Sequence, residues 1–166
     1  MKALKLFATA LVIIMTTCMN SSAQERRFEN HFEGTSFIGL DVDCGAQGYF
    51  LPSIHYIAGL RLNPSNYIGL GIGAQTEWSL GTFMPVYINY KHLFDSSRPF
   101  SPMVSVSAGT DINLTYLEVN PYLEIGYGYN YSITPHNKIY SLIGIDFMMD
   151  CGCPIIGPSF RVGFAF

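Results

Sequence analysis

The sequence predicts an all-β protein, an eight-stranded antiparallel up-and-down transmembrane β-barrel, and three observations carry that expectation. Charged residues make up 13% of the chain and hydrophobic residues 49%, whereas a soluble domain carries about 25% charged residues. Short runs alternate apolar with small or polar residues at period two, and no long helical periodicity appears. Turn chemistry separates these runs at nearly regular spacing.

The N-terminus reads as a targeting segment. Lys2 and Lys5 form a positive start, Leu6 to Met15 an apolar stretch, and Ser21-Ser22-Ala23 a small-residue cleavage site. The apolar stretch is shorter than the ~20 residues that a helical span needs. Residues 1–23 are therefore expected to be a signal peptide, 24–34 a periplasmic N-terminal lead, and 35–166 the barrel. Lipid attachment at Cys18 is the alternative, against which Thr17 and Met15 are a poor match.

Eight strands are expected, at Thr35 to Asp43, Leu51 to Leu62, Tyr67 to Glu77, Phe83 to Phe94, Pro99 to Thr110, Glu118 to Ser132, Lys138 to Met149 and Ile155 to Phe166. After the even strands, Asn63-Pro64-Ser65-Asn66, Asp95-Ser96-Ser97-Arg98 and Thr134-Pro135-His136-Asn137 supply residues that reverse the chain. Longer or Gly-containing connections follow the odd strands, so turns and loops alternate by side, with periplasmic turns and outer loops. Pro52, Pro85, Pro102, Pro121 and Pro158 each fall in the first few residues of a strand, where a missing N–H is tolerated.

Charge placement assigns the faces. Ile68, Leu70, Ile72 and Ala74 oppose Gly69, Gly71, Gly73, Gln75 and Glu77, and Val86, Ile88 and Tyr90 oppose Tyr87, Asn89 and Lys91. Leu123, Ile125, Tyr127 and Tyr129 oppose Tyr122, Glu124, Gly126 and Gly128, and Phe160, Val162 and Phe164 oppose Arg161 and Gly163. One face of each strand is free of charge, as hydrocarbon demands, since Lys or Arg there costs about 2–4 kcal/mol. The other face fits a narrow lumen, in which the glycines of the third strand leave room for Arg61, Tyr87 and Lys91. Glycine at period two inside a strand lacks the strand-to-helix context of a dinucleotide loop. Tyr67, Phe94, Phe100, Tyr131 and Phe166 are expected in a periplasmic aromatic girdle, and Trp78, Phe83, Tyr116 and Phe147 in an outer one.

The expected lumen cluster is Asp41, Arg61, Glu77, Lys91, Glu124, Asp146 and Arg161. Glu124 and Arg161 share a depth and should pair, and the acids lie toward the outer end with Arg61 and Lys91 toward the periplasmic end. Cys44, Cys151 and Cys153 fall in outer connections of the first and last hairpins, which closure makes neighbours. Cys44 can then bridge to Cys151 or Cys153 in an oxidising compartment, with Cys151-Gly152-Cys153 a weaker metal pattern. His31 in the lead, His55 inside the barrel, and His92 and His136 near the periplasmic end have no positioned Ser and acid. No enzyme, cofactor or metal site is expected. A formal charge of −3 and a pI near 5.7 leave no basic face for nucleic acid.

At the C-terminus the chain reads Phe160-Arg161-Val162-Gly163-Phe164-Ala165-Phe166. There, and in the hairpin from Leu60-Arg61-Leu62-Asn63-Pro64 to Tyr67-Ile68-Gly69-Leu70-Gly71, it resembles small outer-membrane β-barrel domain families common in Bacteroidota, and its architecture resembles the OmpA and OmpX type. The resemblance implies that Val162, Phe164 and Phe166 form the signal read by the barrel-insertion machinery. Arg161 stands where many such signals have Gly. Outer-membrane lipid and that machinery are the implied partners in a Gram-negative envelope, with a non-enzymatic structural or loop-presenting role. Two alternatives stay open: a narrow or gated pore for ions or very small solutes, and a soluble periplasmic barrel of lipocalin type with apolar faces turned inward.

Overall fold

The computed structural model describes residues 28–41, 47–77, 80–134, 137–150 and 152–166. Eight strands follow one another: β1 (Phe28–Asp41), β2 (Gly48–Asn63), β3 (Asn66–Glu77), β4 (Gly81–Leu93), β5 (Phe100–Asn113), β6 (Glu118–Ser132), β7 (Lys138–Asp150) and β8 (Cys153–Ala165). Each pairs antiparallel with its sequence neighbour, and β1 pairs with β8, so the sheet is a closed barrel. Closure leaves no unpaired edge. Reciprocal backbone hydrogen bonds of 2.9 Å between Asn30 and Phe166 lock the seam at the end where β1 begins and β8 finishes, called here the terminal end.

Seven of the eight strands start within three residues of their expected positions; β1 does not. It begins at Phe28, so residues 28–34 of the expected lead belong to the barrel wall. The reason is legible in the pattern Phe28-Glu29-Asn30-His31-Phe32-Glu33, which alternates as the other strands do but with ionisable residues inward. Residues 1–27, including the expected signal peptide and Cys18, lie outside the described residues, as do Cys44, Trp78, His136 and Cys151.

Two expectations need correction. The connections 42–47, 78–80, 114–117 and 151–152 at the far end are on average no longer than 64–65, 94–99 and 133–137 at the terminal end. Loop length therefore does not distinguish the two sides. Tyr67 and Phe83, expected in the aromatic girdles, are both fully buried inside the barrel. Their odd-numbered register places them with Gly69 and Tyr87 on the inward face, a parity that outweighs their position near strand ends. Phe94, Phe100, Tyr116, Tyr131 and Phe166 are exposed as girdle residues should be.

The two faces differ sharply in chemistry. Outward stand Ile38, Ile54, Leu70, Ile88, Ile125, Ile143 and Phe160, with many similar side chains. Among the described residues, no Asp, Glu, Lys or Arg takes an outward position in any strand. A lipocalin-like barrel would show the reverse, so the inward-apolar alternative does not describe this chain.

Proline interrupts two ladders. Between Phe37↔Ser159 and Leu40↔Ile156 the β1–β8 pairing skips Pro158, and between Ile72↔Val86 and Gln75↔Phe83 the β3–β4 pairing skips Pro85. In each case the strand resumes the same register beyond the gap, so the missing donor costs local pairing without flipping a face.

Candidate functional site: the packed lumen

The interior is filled in layers. At the far end Phe37, Leu51, Leu80, Phe83, Met148 and Ile155 form an apolar plug. Ile57, Tyr67, Tyr87 and Tyr122 occupy the middle, and Leu93, Met103, Tyr140, Leu142 and Ala165 lie toward the terminal end. Such filling is what an eight-stranded barrel's diameter allows.

Glycine makes the aromatic layers fit. A Cβ on Gly71 would lie 2.4 Å from the Tyr87 ring, one on Gly73 2.5 Å from His55, and one on Gly163 2.2 Å from Tyr140. Each ring lies flat over a neighbouring strand at the point where that strand has no side chain. The glycine row of β3 thus makes the expected room for Tyr87, but its other occupants are Tyr67 and His55, with Arg61 and Lys91 paired elsewhere.

Two ionic centres thread this interior. In the first, near the terminal end, Glu29 receives a two-pronged contact from Arg61, whose Nε donates to Oε2 at 2.7 Å and Nη2 to Oε1 at 2.6 Å. Lys138 donates to the same carboxylate at 3.0 Å, and His31 Nε2 stands 3.1 Å from it. In the second, Glu33 meets Lys91 Nζ at 2.8 Å and accepts from the Tyr140 hydroxyl at 2.5 Å. Arg161 Nη1 stands 3.8 Å from Glu33 and pairs with Glu124, while its Nη2 stands 4.0 Å from Asp146. Tyr122 donates to Glu124 at 2.7 Å, and Ser159 to Asp146 at 2.7 Å.

The expected pairing of Glu124 with Arg161 is therefore present, and its geometry has a simple cause. Gly126 lies two residues from Glu124 on the same face, and a Cβ there would meet Arg161 Nη2 at 3.2 Å. The glycine clears the path along which the guanidinium crosses β7 to reach β6. Among the expected cluster, Lys91, Glu124, Asp146 and Arg161 come together. Arg61 belongs to the separate Glu29 centre, Asp41 is buried at the far end, and Glu77 sits half-buried at the rim, accepting the Leu80 N–H at 2.9 Å.

The expected charge gradient is weakened but not abolished: Glu29 and Glu33 sit among the cations near the terminal end, while Asp41 and Glu77 stay at the far end. Glu29, Glu33, Glu124 and Asp146 are matched by Arg61, Lys91, Lys138 and Arg161 within the two centres. Buried charges persist only when opposite charges stand beside them in this way. Glu29, His31, Glu33, Lys138 and Tyr140 are the members that the sequence expectation omitted. The signal that identifies the first three is the alternation of Phe28 to Glu33.

Remaining sites are placed as follows. His55 is buried between Ser53 Oγ at 2.8 Å and Tyr87 Oη at 3.0 Å, and His92 lies near the terminal end with Nδ1 2.7 Å from Asn66 Oδ1. Asn89 donates to Ser105 and Ser107, both at 2.9 Å, so the serines of β5 form part of the polar wall. Cys153, the first residue of β8, is disulfide-bonded. Val162, Phe164 and Phe166 all face outward, and the last two rings stack with centroids 5.8 Å apart.

No family model and no curated protein matches the chain. Among solved structures it is similar to the crystal structure of Neisserial surface protein A (NspA), with TM-score 0.63 and 12% identity over 86% of this chain and 98% of that one. It is also similar to the N-terminal β-barrel domain of Pseudomonas aeruginosa OprF, with TM-score 0.44 and 17% identity over 86% of this chain and 100% of that domain. These neighbours are small outer-membrane barrels of eight strands. At such identities the likeness establishes the fold, and the NspA superposition carries it.

Proposed function

We propose that the chain is an integral outer-membrane protein, exported through a cleaved signal peptide, with a non-enzymatic role in the cell envelope as a structural or loop-presenting barrel. The observation that carries this reading is the outward face, predominantly apolar and free of Asp, Glu, Lys and Arg among the described residues. A water-facing sheet would carry charge there, and a bilayer penalises it by about 2–4 kcal/mol per Lys or Arg. The resemblance of the last strand to Bacteroidota small barrels, the OmpA and OmpX type of architecture, and the outward row Val162, Phe164 and Phe166 support insertion by the barrel-insertion machinery. On this reading the terminal end is periplasmic and the short far-end connections face outside, which limits the surface available for adhesion.

Cell fractionation tests the proposal. The protein should pellet with outer membranes and, in unboiled gels, migrate differently from the boiled form. Recovery in the soluble periplasm would overturn it. The alternative of a narrow or gated pore is opposed by the apolar plug at the far end. Purified protein in planar bilayers should accordingly give no sustained ion conductance, and stable single-channel steps would favour the pore.

A further inference from the structure

Given the outer-membrane location proposed above, we infer that the loop between β5 and β6 is a membrane foot. Leu114, Tyr116 and Leu117 lie among the headgroups and upper acyl chains of the outer leaflet and fix the depth of the barrel's outer rim. The composition of the loop is unusual for a turn in water. Leu114, Tyr116, Leu117 and the adjoining Val119 are all exposed, and residues 114–117 include no charged side chain. Turns that meet water are ordinarily built from Asp, Asn, Ser, Gly and Pro, as Asp95-Ser96-Ser97-Arg98 is at the terminal end.

Leu117 also holds a backbone conformation that its type avoids. Its φ of 58° lies in the left-handed region, and no other non-glycine residue among the described residues has a positive φ. Gly or Asn would take that position with less steric conflict between side chain and backbone. Instead the position carries a leucine that is 80% exposed. Strain held at an exposed apolar side chain points to a contact made outside the chain.

The frame around this tip is fixed and satisfies its own backbone. The Thr115 and Tyr116 N–H groups donate to Asn113 Oδ1 at 2.9 and 3.1 Å, and the Leu114 N–H donates to the Thr82 carbonyl at 2.8 Å. The Thr82 N–H donates in turn to the Thr115 hydroxyl at 3.3 Å. That hydroxyl lies over Gly81, where a Cβ would stand 2.2 Å from it. Three successive N–H groups therefore have acceptors within the protein, as backbone that enters a bilayer requires.

Continuity with the lipid-facing wall identifies the occupant. Leu114 follows Ile112 on the outward column of β5, and Ile112 pairs with Val119, which leads along β6 to the exposed Leu123 and Ile125. The apolar surface runs from the wall onto the loop. Four residues between the strands cannot lift the tip far from that wall, so its neighbour is the leaflet that covers the wall. Tyr116 suits the boundary, with an apolar ring and a hydroxyl that headgroups and water can pair.

The test uses the full chain, with leucine methyl groups labelled and assigned, in phosphatidylcholine nanodiscs. The Leu117 methyl signals should broaden more with a lipid that carries a nitroxide beside its carbonyl groups than with a water-soluble gadolinium chelate, and Leu114 should follow. Leu70, on the outward wall of β3, should broaden with a nitroxide at the acyl-chain end and reports on the membrane location alone. Equal or greater broadening of Leu117 by the chelate overturns the inference. With Leu70 still reached by the deep nitroxide, the barrel then remains in the membrane and the loop is a water-facing surface for a protein partner. If the deep nitroxide misses Leu70, the location itself fails and the foot with it. Leu117→Asn, which tolerates the same φ, adds a second measurement: the chelate should reach Leu114 more strongly in that variant. An unchanged Leu114 would also overturn the foot.

Discussion

The lumen's two ends solve the same problem with opposite chemistry. At the far end, Phe37 of β1 meets Leu51, Phe83, Met148 and Ile155 in an apolar plug. Only two inward positions away on the same strand, Glu33 sits against Lys91, Tyr140 and Arg161. Hydrophobic packing at the far end is tolerant of exchange, because volume and not partner identity sets its energy. The ionic layers are intolerant, because each charge is stable only with its named partner. The comparison teaches that β1 is anchored by packing at one end and by specific pairing at the other.

The largest expected effect is Arg161→Met, which leaves Glu33, Glu124 and Asp146 without their shared cation. Removing one partner of a buried pair costs about 3–5 kcal/mol, and the urea midpoint of unfolding, followed by gel mobility without boiling, should fall accordingly. Phe37→Ala breaks the other end and should cost about 3 kcal/mol through the cavity it leaves. If the Phe37 variant proved much the more damaging, the ionic centre would be incidental to stability. A milder change sharpens the ionic side of the comparison. Glu124→Gln keeps a hydrogen-bonding group and leaves Arg161 near Glu33 and Asp146, so a loss of about 1–2 kcal/mol is expected. Combined with Arg161→Met it should cost less than the sum, since contacting residues couple. Strict additivity would show that the two side chains act independently.

Much of this was readable from the residues because a period of two has only two solutions per strand. Once charge had to face inward, Leu70, Ile88, Ile125 and Val162 were fixed outward and Lys91, Glu124 and Arg161 inward. The start of β1 was harder. Glu29, His31 and Glu33 resemble a polar leader when read by composition, and only their spacing, with Phe28 and Phe32 between, marks a strand. Tyr67 and Phe83 show the converse limit. Their aromatic character fits an interfacial girdle, but register sends them inward, where Gly69 and its neighbours make space. Cross-lumen partners such as Tyr140 with Glu33 join residues far apart in sequence, and strand order alone does not reveal which long side chain crosses which glycine.

The smallest effect is expected outside the barrel, where the same charge chemistry meets water. In the turn between β4 and β5, Arg98 Nε lies 2.9 Å from Asp95 Oδ2, close to the separations inside the lumen, yet both side chains are exposed. The Asp95 carboxyl is held below the ordinary aspartate range, first by the hydrogen bond that the Ser97 hydroxyl donates at 2.5 Å, with the Ser97 N–H and Arg98 assisting. A depressed carboxyl stabilises the fold above its unfolded titration range, and that contribution disappears as pH falls through the folded one. Solvent and salt screen it. Ser97→Ala should therefore raise the titration midpoint of the Asp95 carboxyl carbon in an NMR pH series more than Arg98→Ala does, with the unfolding midpoint at pH 7 unchanged in both. If Arg98→Ala produced the larger shift, the charge and not the hydroxyl would govern the turn, and exposed and buried pairs in this protein would differ less than the lumen geometry implies.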